Sequence, residues 1–459
     1  MGDAQVRRGP GWGASHRRLR RTGTQSEGGD RVSTTLSRPR ATLKRRRDSR
    51  REAVLQVGIV GTGYVGLPLG IALAQAGHRI RGFDTDQDQR ASAAEHAAAA
   101  GLTVEEFVAV PEPAGLAGCD VFIITVPTPT QLGRPDLRHV EAACASVATA
   151  MAPGALVILE STVSPGTTRN VCLPILEQAS GLLGGPDFRL AYSPERINPG
   201  DPDHRIGSVP KVVAGLDGAS LEAAAALYGG VTDVHRAPSI EVAELAKLVE
   251  NTQRDVNVAF VNEVSNLANA LGLQTSEVLE VAATKWNFLP FRPGVVGGHC
   301  IAEDPHYLLA AGEASGVAMP TVSAARATNA DRADRIADAL ASAQPDPADG
   351  TVVIYGASYK ANVLDCRNSA ADQLERALAR RGYRTTVVDP LVEGDLAFER
   401  HHAALIANPA GLVVAAIVHD RFAELANAHV RQMVRRDGTV VDLTGALDPA
   451  GFPRYIRFD

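Results

Sequence analysis

The chain lacks the features that mark membrane-spanning and disulfide-stabilised proteins. None of its apolar runs approaches the roughly 18 residues that a membrane-spanning helix needs. Its five cysteines are irregularly spaced over 459 residues and form neither a disulfide framework nor paired CxxC metal ligands. The N-terminus is charged but has no apolar segment of the kind found in secretory signals. We therefore expect a cytoplasmic protein without a membrane partner and without a bound metal.

The first 51 residues contain few large apolar side chains and few acidic ones. They include 15 Lys and Arg against four Asp and Glu, a net charge of +11, so that −17 is left for the rest of a chain whose total is −6. Such a segment cannot bury enough apolar surface to offset the cost of ordering it, and we expect residues 1–53 to form a disordered basic tail. Two interpretations of its basic cluster KRRR at 44–47 stay open, a solvated extension and an arm that binds nucleic acid or another polyanion. We adopt the first and expect no nucleic-acid partner.

A glycine motif after the tail is typical of dinucleotide-binding proteins. The sequence GTGYVG at 61–66 lies between an apolar segment at 54–60 and an apolar-periodic segment at 67–76, which predicts a strand, a turn and a helix. The next predicted strand, 79–83, ends at Asp84, 18 residues after the last glycine. A carboxylate at this spacing suits the ribose of NAD and would repel the 2′-phosphate of NADP. The alternative is that Asp84 is an ordinary turn residue.

Two more predicted strands, 121–126 and 156–159, alternate with Ala-rich helical stretches, as in a parallel sheet. Polar turn residues follow both strands, and ligands of open parallel sheets bind outside the carboxyl ends of the strands. Thr128 and Thr162 are therefore placed to face the cofactor, although threonine also occurs as a simple turn former.

Two segments of this region are interpreted as loops. The first, 191–201, is polar and rich in proline, and loops at strand ends often carry functional residues. Within it, Glu195 is either a general base or the ion-pair partner of Arg196. The second, 87–107, is unusually rich in alanine.

One long helix is predicted from residue 239 to residue 271, because apolar residues recur at helical spacing there. Lys247, Asn251 and Arg254 are separated by four and three positions, so they share one face of this helix. The polar row is either a solvated surface or a site that holds an anionic sugar nucleotide and stabilises an oxyanion.

The segment around Cys300 has the most specific chemical signal in the sequence. Gly297 and Gly298 precede His299 and Cys300, and glycine costs stability wherever the backbone does not need it. We infer that these glycines let a ligand approach the main chain beside the thiol. Together with the dinucleotide motif, the thiol predicts an oxidation that passes through a thioester.

The α/β pattern appears again after residue 350 but without the full glycine motif. A strand at 351–355, a helix at 369–380 and a strand at 383–388 are predicted, which indicates a domain that binds the nucleotide of a substrate. Lys360 and Arg367 are its candidate charged contacts. The whole chain is predicted to be an α/β protein in which two Rossmann-like doubly wound domains are joined by a long central helix.

Several of these motifs resemble the UDP-glucose/GDP-mannose dehydrogenase family. They are GTGYVGLP at 61–68, VPTP at 126–129, SPER at 193–196, AKL at 246–248 with Asn251, and GGHC at 297–300 with Asp304 and Pro305. Three longer strings resemble the branch that oxidises UDP-N-acetylglucosamine or UDP-N-acetylgalactosamine for surface polysaccharides. These strings are RINPGD at 196–201, ENTQRD at 250–255 and TKWNFLPFRPG at 284–294. The resemblance extends over essentially everything from Val54 onward.

The resemblance implies a four-electron oxidation of the C6 alcohol of the sugar to a carboxylate, with two molecules of NAD used in succession. Cys300 is implied to attack the intermediate aldehyde, so that a thiohemiacetal and then a thioester form. Lys247 is expected to lower the pKa of this thiol, and Lys247 and Asn251 are expected to stabilise the oxyanion. The residues implied to activate the water that releases the product are Glu195, Asp304 and Thr162.

The resemblance also implies binding residues and domains. Contacts with NAD are implied for Gly61, Gly63, Tyr64, Val65, Gly66, Asp84, Thr128, Thr162 and Arg367. Contacts with the UDP-sugar are implied for Arg196, Ile197, Lys247, Asn251, Arg254, Gly297 and Lys360. The long central helix is implied to form the interface of a homodimer or a higher homo-oligomer. After the N-terminal tail, we expect three domains. They are an NAD-binding Rossmann domain at 54–237, a central helical dimerisation and catalytic domain at 238–340, and a UDP-sugar-binding Rossmann-like domain at 341–459.

Other functions stay open. Oxidation of UDP-glucose or UDP-N-acetylmannosamine is an alternative, because these sugars differ by groups that pocket shape recognises. Two alternatives from other classes are a two-electron dehydrogenase of the hydroxyacid type and a catalytically silent sugar-nucleotide binding protein. Glu303 and His306 stand where relatives usually carry apolar or aromatic residues, and these differences would affect the site of the water or the base.

Overall fold

The computed structural model describes residues 53–197, 203–298, 300–344, 346–347 and 350–458. The predicted disordered tail, apart from residue 53, therefore lies outside the described residues, as do positions 198–202 of the predicted polar loop and His299. Residues 53–459 belong to one unit of the structure, so the parts described below form one folded body.

The first part of this body is built around an eight-stranded sheet. The strands described in this part are β1 (Gln56–Val60), β2 (Arg79–Phe83), β3 (Phe107–Val110), β4 (Val121–Ile124), β5 (Thr130–Gln131), β6 (Arg134–Pro135), β7 (Leu156–Leu159), β8 (Arg189–Tyr192), β9 (Lys211–Gly215) and β10 (Val234–Arg236). β5 and β6 form a separate antiparallel hairpin, and the sheet has the order β10-β9-β8-β7-β4-β1-β2-β3. Its neighbouring strands run parallel, except β8 with β9. Strands β2 and β3 follow β1 on one side of the sheet, whereas β7 to β10 follow β4 on the other side. Doubly wound sheets bind their ligands at such a reversal of strand order, here between β1 and β4.

Helices cover both faces of this sheet. They are α1 (Gly66–Gln75), α2 (Gln87–Ala99), α3 (Arg138–Ala150), α4 (Leu173–Ser180) and α5 (Gly218–Gly229). Alternate residues of β4 belong to two different cores, as the two-residue period of a strand requires. Val121 and Ile123 pack with α1, α2 and α5, whereas Phe122 and Ile124 pack with α3 and α4.

The Ala-rich segment at 87–107 is mostly helical, so its interpretation as a loop is wrong. The carboxylate of Asp86 accepts a hydrogen bond from the Asp88 N–H and caps the first turn of α2. Alanine has the highest helix propensity, and Ala93 and Ala97 are the buried positions that face the sheet. This helix lacks the stripe of large apolar residues on which helix prediction from sequence depends.

The middle of the chain is helical. It contains α6 (Ile240–Ala270), α7 (Thr275–Ala283), α8 (Asp304–Ala314) and α9 (Pro320–Ala343). The Ser239 hydroxyl accepts a hydrogen bond from Val242 N–H and caps α6, as the sequence predicts. Several polar side chains of α6 are buried against α8 and α9. One of them, Asp255, accepts two hydrogen bonds from the Arg326 guanidinium at 2.7 and 2.8 Å.

The last part of the chain repeats the doubly wound plan. Its strands are β11 (Val352–Tyr355), β12 (Thr385–Val388), β13 (Ala410–Ala415), β14 (Val434–Asp442) and β15 (Tyr455–Arg457), in the order β12-β11-β13-β14-β15 and all parallel. Its helices are α10 (Ala370–Arg380), α11 (Asp395–Ala407) and α12 (Ala423–Met433). Val352 and Ile354 of β11 pack with α9 and α10, whereas Val353 and Tyr355 pack with α11 and α12. The predicted fold, two Rossmann-like domains joined by a long central helix, is confirmed.

Within the described residues, no helix has the length and apolar character required to cross a membrane. The same residues contain no cluster of three or more His, Cys, Asp or Glu side chains arranged to hold a metal ion.

Candidate functional site

The glycine motif leaves space for a ligand at the N-terminus of α1. Two of its glycines are required by the protein itself: a Cβ on Gly61 would lie 2.9 Å from the Thr125 carbonyl oxygen, and one on Gly66 would lie 2.0 Å from the Gly61 carbonyl oxygen. By contrast, a Cβ on Gly63 would meet no described atom within 4 Å, so this face is open. The buried hydroxyl of Thr62 also lacks a hydrogen-bond partner among the described residues. An open backbone at a helix N-terminus suits a pyrophosphate.

Asp84 lies at the end of β2, next to this turn. One of its carboxylate oxygens accepts a hydrogen bond from the Thr62 N–H at 2.9 Å, and the other accepts one from the Asp86 N–H at 3.0 Å. Each oxygen retains a lone pair that can accept a ribose hydroxyl. The Arg90 guanidinium donates to the Asp84 carbonyl oxygen at 2.7 Å and so fixes the backbone of this acid.

The residues present therefore fit the dinucleotide that the glycine motif predicts. Gly63 and the N-terminus of α1 would hold its pyrophosphate, and Asp84 would hold its adenosine ribose. The two threonines predicted to face the cofactor follow β4 and β7, at the same edge of the sheet. Thr128 accepts a hydrogen bond from Tyr307 through its carbonyl oxygen at 3.1 Å, and Thr162 is half-buried.

Atoms of the protein itself fill the space next to Gly297 and Gly298, the two glycines that precede His299 and Cys300. A Cβ on Gly297 would lie 2.4 Å from the Asn368 carbonyl oxygen, and one on Gly298 would lie 2.8 Å from the Tyr359 ring. Gly298 also has a positive φ of 75° and donates its N–H to the Asn368 carbonyl oxygen at 3.2 Å. These contacts account for both glycines within the chain itself, and the expected approach of a ligand to the main chain beside the thiol stays a prediction. The two glycines let the thiol segment lie directly on the loop at 356–369 of the last domain.

The Cys300 thiol lies where the three parts of the chain meet. Cys300 is exposed as a residue, and the Tyr64 hydroxyl from the glycine motif donates a hydrogen bond to its sulfur. Desolvation by the surrounding protein raises the pKa of the thiol above its usual value, and the Asp304 carboxylate raises it further. Lys247 and Arg254 act in the opposite direction without outweighing the desolvation. Lys247 thus has the predicted effect, but the prediction of a lowered thiol pKa is wrong in its net result.

Asp304 and Asn251 form a buried pair next to this thiol. The Asn251 side-chain amide donates to the Asp304 carboxylate at 2.5 Å, and the Asp304 N–H donates to the Cys300 carbonyl oxygen at 3.0 Å. Desolvation raises the pKa of Asp304 to about 6, although Lys247 and the bond from Asn251 oppose the rise. A carboxyl group with this pKa can exchange a proton near neutral pH.

Lys247 and Glu195 are joined through the backbone. The Lys247 ammonium donates to the Glu195 carbonyl oxygen at 2.6 Å. The Glu195 carboxylate accepts the N–H groups of Arg196 and Ile197, both at 2.6 Å. The Arg196 guanidinium instead forms a salt bridge with Glu250 at 2.9 Å. This decides one open question, because Glu195 is not the ion-pair partner of the Arg196 side chain.

The other predicted substrate and cofactor contacts lie on different elements around the thiol. Arg254 is exposed on α6, and Lys360 is half-buried in the loop at 356–369. Arg367, in the same loop, is paired with Asp365 at 2.6 Å and lies close enough to Tyr64 to affect its electrostatics. The predicted contacts thus come from several elements, and the Arg196 and Arg367 side chains are engaged by acids of the chain itself.

Sequence reasoning missed a buried polar group behind Glu195. Lys211, the first residue of β9, donates to Glu195 at 3.1 Å and to Glu160 at 2.7 Å. Glu160 also accepts a hydrogen bond from the Tyr228 hydroxyl. The only signal in the sequence is that two charged residues directly adjoin buried strands, Glu160 after β7 and Lys211 at the start of β9.

Glu303 and His306, which the sequence analysis singles out, both contact the β5–β6 hairpin. The Glu303 carboxylate accepts the Thr130 N–H at 3.0 Å and its hydroxyl at 2.5 Å. The His306 ring lies 3.3 Å from the position that a Cβ on Gly133 would occupy. These residues therefore attach the hairpin to the start of α8. The Glu303 charge also contributes to the raised pKa of Asp304, one of the predicted bases, and the expected effect on a water site stays a prediction.

Comparisons with known proteins agree with this geometry. The NAD binding domain of the UDP-glucose/GDP-mannose dehydrogenase family matches residues 55–232, its central domain matches 241–331, and its UDP binding domain matches 353–449. A UDP-N-acetyl-D-glucosamine 6-dehydrogenase from Pseudomonas aeruginosa is 37% identical over 413 residues, which cover 86% of this chain and 97% of the relative. An NDP-N-acetyl-D-galactosaminuronic acid dehydrogenase from Ralstonia solanacearum is 32% identical over 423 residues, 85% of this chain and 95% of the relative.

A solved structure shows the same fold over nearly its full length. It is the UDP-D-ManNAc dehydrogenase from Pyrococcus horikoshii, with a TM-score of 0.78 and 27% identity, covering 88% of this chain and 99% of that structure. The family matches cover most of the chain, and Tyr64 of the glycine motif acts on the Cys300 thiol. The chain therefore belongs to the UDP-glucose/GDP-mannose dehydrogenase family and is an NAD-dependent oxidoreductase.

Proposed function

We propose that the chain oxidises the C6 alcohol of a UDP-N-acetylhexosamine, UDP-N-acetylglucosamine or UDP-N-acetylgalactosamine, to the UDP-uronic acid used in surface polysaccharides. The net reaction converts the alcohol, two NAD⁺ and one water into the carboxylate, two NADH and three protons. We assign residues 54–237 to NAD, 238–340 to catalysis and dimerisation, and 341–459 to the UDP-sugar. A catalytic free thiol needs a reducing compartment, which agrees with the cytoplasmic location that we propose.

The observation that carries this proposal is the position of Cys300. The thiol accepts a hydrogen bond from Tyr64 of the glycine motif, lies in the fields of Lys247 and Asp304, and is held through Gly298 against the loop that contains Lys360. A two-electron dehydrogenase has no use for a nucleophile at this place. A covalent route keeps the reactive aldehyde on the enzyme between the two oxidations.

The side chains beside Cys300 match the needs of the covalent steps. NAD, when bound, accepts the hydride in each of the two oxidations. The Cys300 sulfur bonds to the aldehyde carbon, and the thiol proton must leave as this bond forms; Asp304, with a pKa of about 6, is the acceptor that we assign. Lys247 has two further N–H donors and Asn251 has one, and these would stabilise the oxyanion.

Hydrolysis then releases the product. A water oxygen bonds to the thioester carbon, the carbon–sulfur bond breaks, and Cys300 regains its proton. We assign the removal of the water proton to Glu195, whose carboxylate is held in the ionised form, with Asp304 and the Thr162 hydroxyl positioning the water. We assign substrate contacts to Arg254, on α6, and Lys360, in the loop at 356–369.

A panel of UDP-sugars tests this function. We expect NADH production with UDP-N-acetylglucosamine or UDP-N-acetylgalactosamine, at two NADH per product and little with UDP-glucose. One NADH per product would indicate a two-electron dehydrogenase, and no turnover of any UDP-sugar would indicate a silent binding protein. Preference for UDP-glucose or UDP-N-acetylmannosamine would contradict the choice of substrate but not the reaction.

The Cys300→Ser variant tests the covalent route. We expect its turnover to fall by roughly 10³-fold or more, because the hydroxyl is a far poorer nucleophile. Retained NAD binding, measured by fluorescence titration, shows that the variant is folded. Full turnover in this variant would rule out a thioester on Cys300.

We also propose that the chain forms a homodimer or a higher assembly built from homodimers. α6 exposes large apolar side chains to solvent, among them Val249 at 50% and Phe260 at 58%. Exposed apolar residues in a row on one helix are typical of a protein interface. A second copy of the chain is the partner that we propose.

A further inference from the structure

A chain of buried polar side chains lies behind Glu195. The Tyr228 hydroxyl donates to Glu160, and the Lys211 ammonium donates to Glu160 at 2.7 Å and to Glu195 at 3.1 Å. Tyr228 is fully buried, Glu160 is 2% exposed and Lys211 is 8% exposed. We call Tyr228, Glu160 and Lys211 the buried support of Glu195. Its members come from the helix α5, from the residue after β7 and from β9, and Lys211 is the member that contacts Glu195.

The charge of Lys211 is maintained by its neighbours. Burial lowers the pKa of a lysine, but the carboxylates of Glu160 and Glu195 outweigh it and leave the pKa of Lys211 raised. The Tyr228 ring lies below the ammonium, 5.1 Å from nitrogen to ring centroid. A buried cation is costly unless it is paired in this way, so the arrangement is a specific one rather than a surface ion pair.

The same cation acts on Glu195. Burial would raise the pKa of Glu195, but Lys211 and the N–H groups of Ile197 and Arg196 outweigh it, and the pKa is lowered. The two N–H groups hold one carboxylate oxygen and Lys211 holds the other, which leaves one lone pair, on the oxygen that Lys211 holds, for a water. The Glu195 backbone is in turn bound by Lys247, which acts on the Cys300 thiol. Lys211 therefore contributes to both the orientation and the charge of the carboxylate to which we assign the hydrolytic step.

We propose that Lys211 is a positioning residue for hydrolysis of the Cys300 thioester, held in place by Glu160 and Tyr228. Lys211 keeps the Glu195 carboxylate ionised and oriented towards the water. This carboxylate takes the proton from the water as the carbon–oxygen bond forms and the carbon–sulfur bond breaks. The inference rests on the proposed function, because only a covalent route includes this hydrolysis. Lys211 has no part in the two hydride transfers.

The pH dependence separates this role from a merely structural one. The charged and titratable groups facing Glu195 are Lys211, Glu160, Tyr228, Lys247, Arg196 and Glu250. Lys211→Met removes the cation, so Glu195 would be protonated at higher pH and the acid limb of kcat would move to higher pH. Lys211→Arg keeps the cation, so the acid limb would stay at its wild-type position. A general loss of packing would not depend on whether the substituted side chain carries a positive charge.

The experiment measures NADH formation in the first turnover and the mass of acid-quenched enzyme, with the UDP-N-acetylhexosamine that the wild type oxidises. For Lys211→Met we expect NADH formation at wild-type rate in the first turnover, kcat lower by roughly 10- to 100-fold, and a covalent acyl adduct on Cys300. KM for the UDP-sugar should stay within about threefold, because Lys211 touches no substrate. Lys211→Arg, which keeps the cation, should recover most of the rate.

Arg236→Met is the matched control, since it removes an exposed cation that pairs with Glu222 at 2.8 Å on the same side of the sheet. Arg236→Met should leave both the rate of NADH formation in the first turnover and kcat unchanged. A first turnover slowed as much as kcat, with no adduct, would overturn the role of Lys211. If Lys211→Met does not fold, Lys211→Gln, which also removes the cation, carries the test, and an unmoved acid limb would overturn the proposal. Failure of the proposed function shows itself separately, as fewer than two NADH per product in the wild type.

Discussion

At the scale of single residues, Gly298 shows why the thiol segment has its sequence. Its φ of 75° lies in the left-handed region, and a Cβ would lie 2.8 Å from the Tyr359 ring. The residue therefore needs glycine for two independent reasons, the backbone conformation and the close approach of a side chain. Both reasons concern the position of Cys300 relative to the last domain rather than a ligand.

Gly298→Ala should destabilise the chain and weaken its activity. The left-handed conformation costs about 1–2 kcal/mol for alanine, and displacement of the Tyr359 ring adds about 1–3 kcal/mol. Gly316→Ala is the matched control, because Gly316 has a φ of 68° but a Cβ there would meet no described atom within 4 Å. Urea unfolding should show the larger loss for Gly298→Ala, and only this variant should lose NADH production. Equal losses in both variants would mean that the contact with Tyr359 is unimportant.

At the scale of elements, the loop at 356–369 is anchored in the same way as the glycine motif. Asp84 at the end of β2 accepts the Thr62 N–H, and Asp389 at the end of β12 accepts the Ala357 N–H at 2.6 Å. In the second case the His419 ring also lies 3.0 Å from both carboxylate oxygens. A protein side chain thus occupies the carboxylate that a ribose would use, which suits a domain that does not bind a dinucleotide.

The hydrogen bonds of His419 define its tautomer. Its Nδ1 accepts the Asn362 N–H at 2.9 Å, so in the neutral ring the proton is on Nε2, which donates to Asp389. Asn362 belongs to the loop that contains Lys360. The pair of Asp389 and His419 therefore fixes this loop at both its beginning and its middle.

Asp389→Asn should loosen the loop and change the acid stability of the chain. Burial opposes ionisation of Asp389, but the hydrogen bonds from His419, Ala357 and Val392 outweigh it and lower the pKa to about 2. A lowered pKa contributes stability that is present above the unfolded pKa of about 4 and is lost as pH falls towards 2. We expect a loss of about 2 kcal/mol at pH 7 and a higher KM for the UDP-sugar, with KM for NAD unchanged.

Urea unfolding at several pH values checks this prediction. The difference between the wild type and Asp389→Asn should shrink between pH 4 and pH 2, because the wild-type carboxyl becomes protonated there. A difference that stays constant over this interval would show that Asp389 is not ionised in the folded chain.

Elements with a clear apolar period can be predicted from the sequence, and contacts between distant polar residues cannot. The strand at 156–159 and the long helix have the predicted positions, because burial dictates their pattern. α2 escapes prediction because small alanines replace the large apolar residues of an amphipathic helix. Lys211 and Glu160 are 51 positions apart, and nothing in either segment indicates the partner. The role that we propose for Cys300 rests on its sequence context, but the net effect of desolvation on the pKa of its thiol depends on the assembled fold.

At the scale of the whole molecule, α6 has an exposed apolar row that a single chain leaves uncovered. Its members are Val242 at 47% exposure, Val249 at 50%, Phe260 at 58% and Leu267 at 61%. They are separated by 7, 11 and 7 positions, so at 100° per residue they fall within about 20° of one another around the helix. One continuous row of this length fits a second copy of the same helix, since a two-fold interface brings identical faces together.

Val249→Glu should therefore weaken self-association. The substitution places a charge in the middle of the row, where a partner helix would have to desolvate it, and its mirror-related copy would add like-charge repulsion. Val104→Glu is the matched control, because Val104 is 79% exposed and lies far from α6 in sequence, between α2 and β3. Sedimentation velocity over a concentration series should show a dimer or larger species for the wild type and Val104→Glu, and a shift to monomer for Val249→Glu. A monomeric wild type, or an unchanged assembly in Val249→Glu, would remove α6 as the interface and leave the apolar row to another partner.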